Sequence, residues 1–149
     1  MPFPQEVHHR DGRENEPGIP ADLHYPTIPA EAERVARFRR VLTLWASGLG
    51  MAAERVQALT LATYEAMTNV VTHAYRGLPG TLELHATYLA ELRQVTVTVI
   101  DKGHWRPALV GDGPLRPGGR GLPLIRALAE DTSITTGVRG TSVRMRWNT

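Results

Sequence analysis

The chain has 149 residues, which is enough for one domain with a hydrophobic core but hardly for two. Its 17 basic and 15 acidic residues leave a formal net charge of +2, an excess too small to imply nucleic-acid binding by itself. The sequence contains no cysteine, which excludes disulfides and thiolate metal sites, and no apolar run is long enough to span a membrane.

The first 20 residues are predicted to form a flexible tail, because they mix proline, glycine and charged residues with almost no apolar ones. They are also too polar for a signal peptide, so we expect a soluble cytoplasmic protein. His8 and His9 are adjacent in this tail, but no third ligand is near them, which favours a solvated pair over a metal site. One folded domain is expected to follow, at residues 21–149.

The folded domain is predicted to begin with a short strand and two helices. The strand has the sequence DLHYP, at 22–26, and is expected to end at its proline. Apolar residues recur at alternating spacings of three and four over 35–49 and predict the first helix. The second helix is predicted from about residue 53 to residue 74, before the turn sequence RGLPG at 76–80.

Beyond residue 80 the apolar residues alternate with polar ones, as in half-buried strands. TLELHATY (81–88) and QVTVTVID (94–101) therefore predict the two strands of an antiparallel hairpin. Asp101 has the same parity as the valines of the second strand, so its carboxylate is predicted to point to the buried side. A carboxylate is unusual in such a place unless something there requires it.

The remaining elements follow a glycine- and proline-rich loop at 103–119, whose length indicates a functional or disordered segment. A short helix is predicted at about 122–130, and two further strands at 132–137 and 141–147. The order β-α-α-β-β-loop-α-β-β predicts an α+β fold, a two-layer α/β sandwich with helices on one face of a mixed, mostly antiparallel sheet.

Glu65 and Asn69 lie about one turn apart on the second predicted helix. The amide oxygen of Asn69 could bind Mg²⁺, which prefers oxygen ligands, while the carboxylate of Glu65 acts on a nucleophile. The alternative is a solvated glutamate beside a satisfied asparagine, and the pair alone favours that alternative. His73 continues the same polar stripe and is explained equally well by helix packing.

Asp101 and Gly103 form a second motif, in the sequence VIDKG. A buried carboxylate at a strand end can accept a hydrogen bond from the exocyclic amino group of adenine and would repel the carbonyl of guanine. A glycine that follows it lets the backbone come close to a flat ring. An aspartate that simply starts a tight turn is the common alternative.

The third motif is GGRGL, at 118–122, directly before a predicted helix. Glycine-rich backbone that runs into a helix N-terminus presents unpaired N–H groups to phosphates, and Arg116 and Arg120 add positive charge. Alone this motif is weak, because glycine clusters also simply end loops. The sequences of a P-loop and of a eukaryotic-type protein kinase are absent.

The order of these motifs resembles the GHKL superfamily of ATP-binding domains: Glu-x-x-x-Asn on a helix, Asp-x-Gly at a strand end, Gly-x-Gly opening a helix, and Gly-Thr before the last strand. Within it, the small size and the segment EAMTNVVTHAY (65–75) resemble the branch of anti-sigma-factor serine/threonine kinases. The resemblance covers roughly residues 22–148. It implies the Bergerat-type fold of histidine-kinase-like ATPases, with a flexible lid over the nucleotide.

The resemblance also implies site residues, with ATP and Mg²⁺ as cofactors. Glu65 matches the catalytic base, and Asn69 matches the Mg²⁺ ligand. The residues implied to contact the nucleotide are Asn69, Asp101, Gly103, Gly119, Arg120, Gly121, Leu122 and Thr141. One position departs from the family pattern: Trp105 stands where relatives often have the last glycine of Asp-x-Gly-x-Gly, which puts a bulky ring at the start of the implied lid.

The implied activity is that of an ATP-dependent serine/threonine protein kinase that acts as an anti-sigma factor. Such a protein binds a sigma factor and phosphorylates a STAS-domain anti-anti-sigma factor, and members of the branch typically work as homodimers. The alternative is an ATP-binding partner-switching regulator that sequesters its partner without phosphotransfer. Glu65 favours the enzyme, because a protein that only binds has little need of it.

A third class, a basic nucleic-acid binder built on Arg139, Arg144, Arg146 and the arginine-rich first helix, is disfavoured. No aromatic platform or recognised motif accompanies these arginines. We therefore expect neither direct nucleic-acid binding nor membrane association.

Overall fold

The computed structural model describes residues 19–104 and 121–149. In these residues a five-stranded sheet is covered on one face by helices, which confirms the predicted two-layer α+β fold. The predicted tail lies outside the described residues except for its last two. The lid implied by the resemblance, with Trp105 and Arg116, also lies outside them.

Strands and helices follow one another in the order that the sequence predicts, except that two helices stand in place of the first predicted one. The strands are β1 (Leu23–Pro29), β2 (Thr81–Leu89), β3 (Gln94–Asp101), β4 (Asp131–Gly137) and β5 (Gly140–Asn148). The helices are α1 (Ala32–Ala36), α2 (Phe38–Gly48), α3 (Ala53–Asn69) and α4 (Gly121–Leu128), and a π-helical turn (Val70–Ala74) continues α3.

The strands form one sheet in the order β1-β2-β3-β5-β4, and every described pair of neighbours is antiparallel. The sheet of the described residues is therefore antiparallel throughout, and the prediction of a mixed sheet was wrong in that respect. Along β2 and β3 the buried residues alternate with half-buried ones, so one face of the sheet lies against the helices. The opposite face is polar and carries no helix among the described residues.

The hydrophobic core lies between the helical layer and the buried face of the sheet. Large side chains that are fully enclosed there include Phe38 of α2, Met67 of α3 and Trp147 of β5. The indole Nε1 of Trp147 donates a hydrogen bond to the carbonyl of Leu128 at 2.9 Å and so joins β5 to the end of α4. Within the two described ranges, no helix combines the length and apolar character needed to cross a lipid bilayer.

Three predicted boundaries differ from the structure. The strand expected to end at Pro26 continues to Pro29, because β1 is an edge strand and its pairing with β2 shifts between Tyr25 and Ile28, where a proline without an amide proton is tolerated. The first predicted helix is divided at Arg37 into α1 and α2, although Arg37 itself keeps right-handed helical angles. The spacing of apolar residues fits both arrangements.

The third difference lies next to the candidate site. The second predicted helix, 53–74, is α-helical only as far as Asn69, and Val70–Ala74 form a π-helical turn. A π-helical turn holds one residue more in each hydrogen-bonded loop than an α-helix, and such turns are frequent at functional sites. The four-residue spacing of Glu65 and Asn69 therefore remains that of an α-helix, but His73 lies beyond the change in geometry.

Candidate functional site

The centre of the candidate site is the end of β3, where Asp101 lies directly opposite Thr141 of β5. Both side chains are buried, at 2% and 3% exposure respectively. The predicted inward direction of Asp101 is therefore confirmed. Residues that face each other on adjacent strands have Cβ atoms about 5 Å apart, so the carboxylate and the hydroxyl can contact one small group together.

The glycine after Asp101 is held by the aspartate itself. The amide of Gly103 donates a hydrogen bond to Oδ1 of Asp101 at 2.8 Å. A Cβ at Gly103 would lie 2.1 Å from the carbonyl oxygen of Ala74, so only glycine fits between the strand end and the helix end. The two carboxylate oxygens of Asp101 can together accept about four hydrogen bonds, so Asp101 can hold Gly103 and also accept a hydrogen bond from a ligand.

A second glycine approaches Asp101 from β5. Gly140 has a φ of +125°, a backbone conformation that side chains with a Cβ rarely adopt. A Cβ there would lie 1.9 Å from the carbonyl oxygen of Asp101. The Gly-Thr motif at 140–141 thus has a structural reason: the glycine lets β5 begin against the end of β3, and the threonine faces Asp101.

The π-helical turn brings the end of α3 close to the end of β3. The amide of His104 donates a hydrogen bond to the carbonyl of Ala74 at 2.9 Å, next to the close contact with Gly103. Asn69 lies one helical turn before Ala74, and Glu65 lies about 6 Å farther along the axis. Asn69 is buried, whereas Glu65 and His73 are half-buried.

The buried side chain of Asn69 carries a hydrogen-bond donor without an acceptor among the described residues. Its Nδ2 atom has no hydrogen-bond partner among the described residues, although buried side-chain amides usually find one. The terminal amide can turn about its last torsion and present either its oxygen or its NH₂ group. A phosphate oxygen could accept a hydrogen bond from Nδ2 as it stands, and a flip of the amide would instead turn its oxygen toward a cation.

Tyr75 is a site residue that the sequence analysis missed. Its hydroxyl accepts a hydrogen bond from the amide of Lys102 at 3.1 Å and donates one to the carbonyl of Thr81. The phenol therefore ties the residue after Asp101 to the start of β2. A tyrosine directly after a predicted helix has many possible partners, so its sequence position gave no signal for this contact.

The motif GGRGL, which the sequence predicts to bind phosphate, is only partly described. Gly121 is the first residue of α4, as the motif predicts, whereas Gly119 and Arg120 lie outside the described residues. The side chain of Leu122 is buried in the core, so this residue has only its backbone to offer a ligand. The helix α4 packs along α3, the helix that carries Glu65 and Asn69.

The described candidate residues thus gather at one edge of the two layers. Asp101, Gly103 and Thr141 meet at the sheet end, and Asn69 follows on the helix that abuts it. A site with a buried acceptor and close backbone at one end, and a buried amide farther along, fits a ligand with a flat polar ring and a charged, oxygen-rich tail.

Comparisons with known proteins identify the family to which this fold belongs. The family model described as "Histidine kinase-like ATPase domain" matches residues 28–147, which is most of the chain. A relative in Bacillus pumilus named "Serine-protein kinase RsbW" is 32% identical, over 76% of this chain and 78% of its own. Relatives of the same name in Listeria monocytogenes are 33% identical, over 72% of this chain and 75% of theirs.

Solved structures show the same fold. A crystal structure of the RsbU and RsbW domains of a Mycobacterium tuberculosis protein matches with a TM-score of 0.68 and 22% identity, covering 87% of this chain and 32% of that chain. The histidine kinase domain of a blue-light-activated histidine kinase from Erythrobacter litoralis matches with a TM-score of 0.52 and 21% identity, covering 79% and 60%. Because the family model covers most of the chain, including both long helices, the chain belongs to the family of histidine kinase-like ATPase domains.

Proposed function

We propose that this protein is an ATP-dependent serine/threonine protein kinase that acts as an anti-sigma factor. In this proposal it binds a sigma factor and phosphorylates a STAS-domain anti-anti-sigma factor on a serine or threonine. The names of its relatives, which are serine-protein kinases, support the reaction class. The partners come from the resemblance of the motifs and are part of the proposal.

The single observation that carries the proposal is the buried pair of Asp101 and Thr141 between two glycines. The carboxylate accepts a hydrogen bond from the amino group of adenine, and the hydroxyl of Thr141 lies within reach of the same edge of the base. The carbonyl that guanine carries at this position would face the carboxylate and be repelled. Gly103 and Gly140 let the ends of β3, β5 and the π-helical turn pack closely around the pair.

The residues present also fit a magnesium ion. Mg²⁺ binds oxygen ligands and usually takes only one or two from the protein, keeping waters and phosphate oxygens for the rest. Asn69 is the residue that would hold it, through its amide oxygen, with the amide turned so that Oδ1 takes the place of Nδ2, the atom that has no partner among the described residues. When bound, the ion would neutralise part of the phosphate charge.

Glu65 is assigned the role of general base. It lies one turn before Asn69 and is half-buried, so it is close to the assigned phosphate region and open to a protein substrate. Its carboxylate orients the hydroxyl of the partner's serine or threonine and accepts the proton. The hydroxyl oxygen forms a bond to the γ-phosphorus, the bond from that phosphorus to the β-γ bridging oxygen breaks, and ADP leaves.

The N-terminus of α4 and the glycines before it complete the proposed phosphate site. Backbone N–H groups at a helix start bind phosphate oxygens, and Arg120 would add a charge. Transfer puts close to two negative charges on the binding face of the partner, which would break that complex and free the kinase for its sigma factor.

We also propose that the protein forms a homodimer, and light scattering on the purified chain tests this directly.

The test of the kinase step is phosphotransfer from Mg-ATP to a co-encoded STAS-domain protein. Glu65→Gln should lower the transfer rate by about 10²- to 10⁴-fold, the usual worth of a positioned general base. The matched control is Glu54→Gln, because Glu54 is an exposed glutamate in the first turn of the same helix. Equal transfer by wild type and Glu65→Gln would remove Glu65 from its role.

Nucleotide binding is tested separately from transfer. Mg-ADP at a hundred times its Kd should raise the free energy of unfolding by about 2.7 kcal/mol in both the wild type and Glu65→Gln. If the nucleotide stabilises the protein but even the wild type does not transfer phosphate, the protein is instead a partner-switching regulator that only binds ATP. If adenine nucleotides do not stabilise it, both functions are excluded.

A further inference from the structure

Three metal-ligating side chains meet on the polar face of the sheet, away from the candidate nucleotide site. His24 lies on β1, and Glu83 and His85 lie on β2. Nε2 of His24 is 2.9 Å from Oε1 of Glu83, and Nε2 of His85 is 2.7 Å from the same oxygen. All three ligand atoms lie within 4.8 Å of one another.

The register of the two strands produces this arrangement. His24 and His85 are direct partners across the β1–β2 ladder, and Glu83 precedes His85 by two residues on the same face. The neighbours Leu82 and Leu84 are buried, so the three polar side chains point away from the helices. The two imidazole rings stack, with centroids 4.0 Å apart and planes inclined by 24°.

The donor set suits a borderline metal ion. Two imidazole nitrogens and one carboxylate oxygen are a ligand set found for zinc, with water as the fourth ligand. Ligand atoms at the usual zinc distances are about 3.3 Å apart in a tetrahedral site, so the present separations of 2.7 and 2.9 Å require only a small opening. The rings must also turn so that both planes contain the ion, and the last torsion of histidine is soft.

Access favours the same ligand. One carboxylate oxygen of Glu83 already faces both histidine nitrogens, and all three side chains can be reached from solvent. The three side chains are 27%, 30% and 34% exposed, which lets an ion and its water reach them.

We propose that His24, Glu83 and His85 form a binding site for a divalent transition metal of the zinc class. An ion held there would connect β1 to β2. This connection is useful because β1 is an edge strand whose ladder is interrupted between Tyr25 and Ile28. The site is independent of the proposed kinase activity, since its side chains lie on the face of the sheet opposite the helices.

The experiment uses the full chain without a histidine tag, stripped with EDTA and dialysed. Zn²⁺ affinity is measured by competition with a chromogenic chelator, and Co²⁺ is used as a visible-absorbance probe of the ligand geometry. We expect one ion per chain and a melting temperature that rises with Zn²⁺. His24→Gln, Glu83→Gln and His85→Gln should each weaken binding by at least about 10- to 100-fold, since even second-shell losses cost that much.

Two controls make the result specific. His8→Gln/His9→Gln removes the adjacent pair in the tail, and His104→Gln removes an exposed histidine beside the nucleotide site; both should keep the wild-type affinity. Stabilisation by Mg-ADP should persist in His85→Gln, which verifies that the variant is folded. Absence of Zn²⁺ binding by the wild type, unchanged binding in the three ligand variants, or loss of binding in the tail variant would overturn the proposal.

Discussion

Asp101 and Thr141 are direct partners at the end of the β3–β5 ladder, and both side chains are buried. The two strands on which they lie belong to different hairpins, β2–β3 and β4–β5. A carboxylate and a hydroxyl that are far apart in the chain are thereby placed side by side, where one edge of a base can contact both. The proposed choice of adenine depends on this pair.

Asp101→Asn should weaken binding of Mg-ATP without unfolding the protein. The amide oxygen of asparagine can still accept the Gly103 amide, but its NH₂ group would face the amino group of adenine, and two donors do not pair. A lost hydrogen bond to a charged group corresponds to a fall in affinity of about 10- to 100-fold, measurable by calorimetry. The preference for ATP over GTP should shrink with it.

The control for this substitution is Asp131→Asn. Asp131 is an exposed carboxylate on the edge strand β4, 3.3 Å from Arg146, and such surface pairs contribute less than about 1 kcal/mol. Its loss should leave nucleotide affinity unchanged. Wild-type affinity and base preference in Asp101→Asn would show that the base is read elsewhere.

Gly140→Ala should destabilise the protein strongly, and Gly137→Ala should not. A Cβ at Gly140 meets the backbone of Asp101 and stands on a residue with positive φ, whereas a Cβ at Gly137 meets nothing within 4 Å. Overpacking and backbone strain together predict a loss of about 2–5 kcal/mol in the free energy of unfolding for the first variant. Urea denaturation measures it, and equal stabilities of the two variants would contradict the close contact.

Asn69→Ala should separate stability from binding. Because the Nδ2 atom is buried without a partner among the described residues, its removal should cost the ligand-free protein no more than about 1 kcal/mol, or even stabilise it. The stabilisation by Mg-ATP should fall sharply in the same variant. Both quantities come from thermal melts with and without nucleotide.

Thr63→Val is the matched control for Asn69→Ala. Its Oγ1 is also buried and unpartnered within the described ranges, on the same helix, and valine has nearly the same shape. This variant should gain up to about 1–2 kcal/mol of stability and keep its response to Mg-ATP. A normal nucleotide response in Asn69→Ala would instead exclude Asn69 as a ligand of the nucleotide or its ion.

Tyr75→Phe should weaken the connection between the end of β3 and the start of β2. The hydroxyl accepts from the Lys102 amide and donates to the Thr81 carbonyl, so its removal should cost about 1–2 kcal/mol in the free energy of unfolding. Nucleotide affinity should fall with it, because Lys102 follows Asp101. Tyr64→Phe is the control, since it keeps the ring beneath the Arg39 guanidinium.

Much of the fold could be predicted, because helices and strands leave a periodic pattern of apolar residues in the sequence itself. The valines of β3 alternate in a way that only a half-buried strand explains, and the parity of Asp101 then implies a buried carboxylate, as found. The spacing of apolar residues likewise places both long helices. Element type is set by neighbours in the chain, so it can be read from them.

Other features could not be predicted, because they depend on contacts between segments that are distant in the sequence. The edge position of β1, which lets the strand pass Pro26, depends on strand order. The π-helical turn leaves the apolar pattern of its residues unchanged, so periodicity cannot detect it. The pairing of His24 with His85 depends on the register between two strands that the helices separate in the chain. The hydroxyl contacts of Tyr75 depend on where the end of β3 lies relative to the start of β2.

The position of the Asp101–Thr141 pair has a consequence for how the protein folds. Two hairpins with short turns, β2–β3 and β4–β5, can each form from contacts between neighbours in the chain, and such local contacts generally form quickly. The β3–β5 ladder joins segments that are distant in the chain and closes a long loop between them, which is slow. The proposed base-reading pair exists only after the two hairpins dock, so capture of a fluorescent adenine nucleotide during refolding would time this docking step.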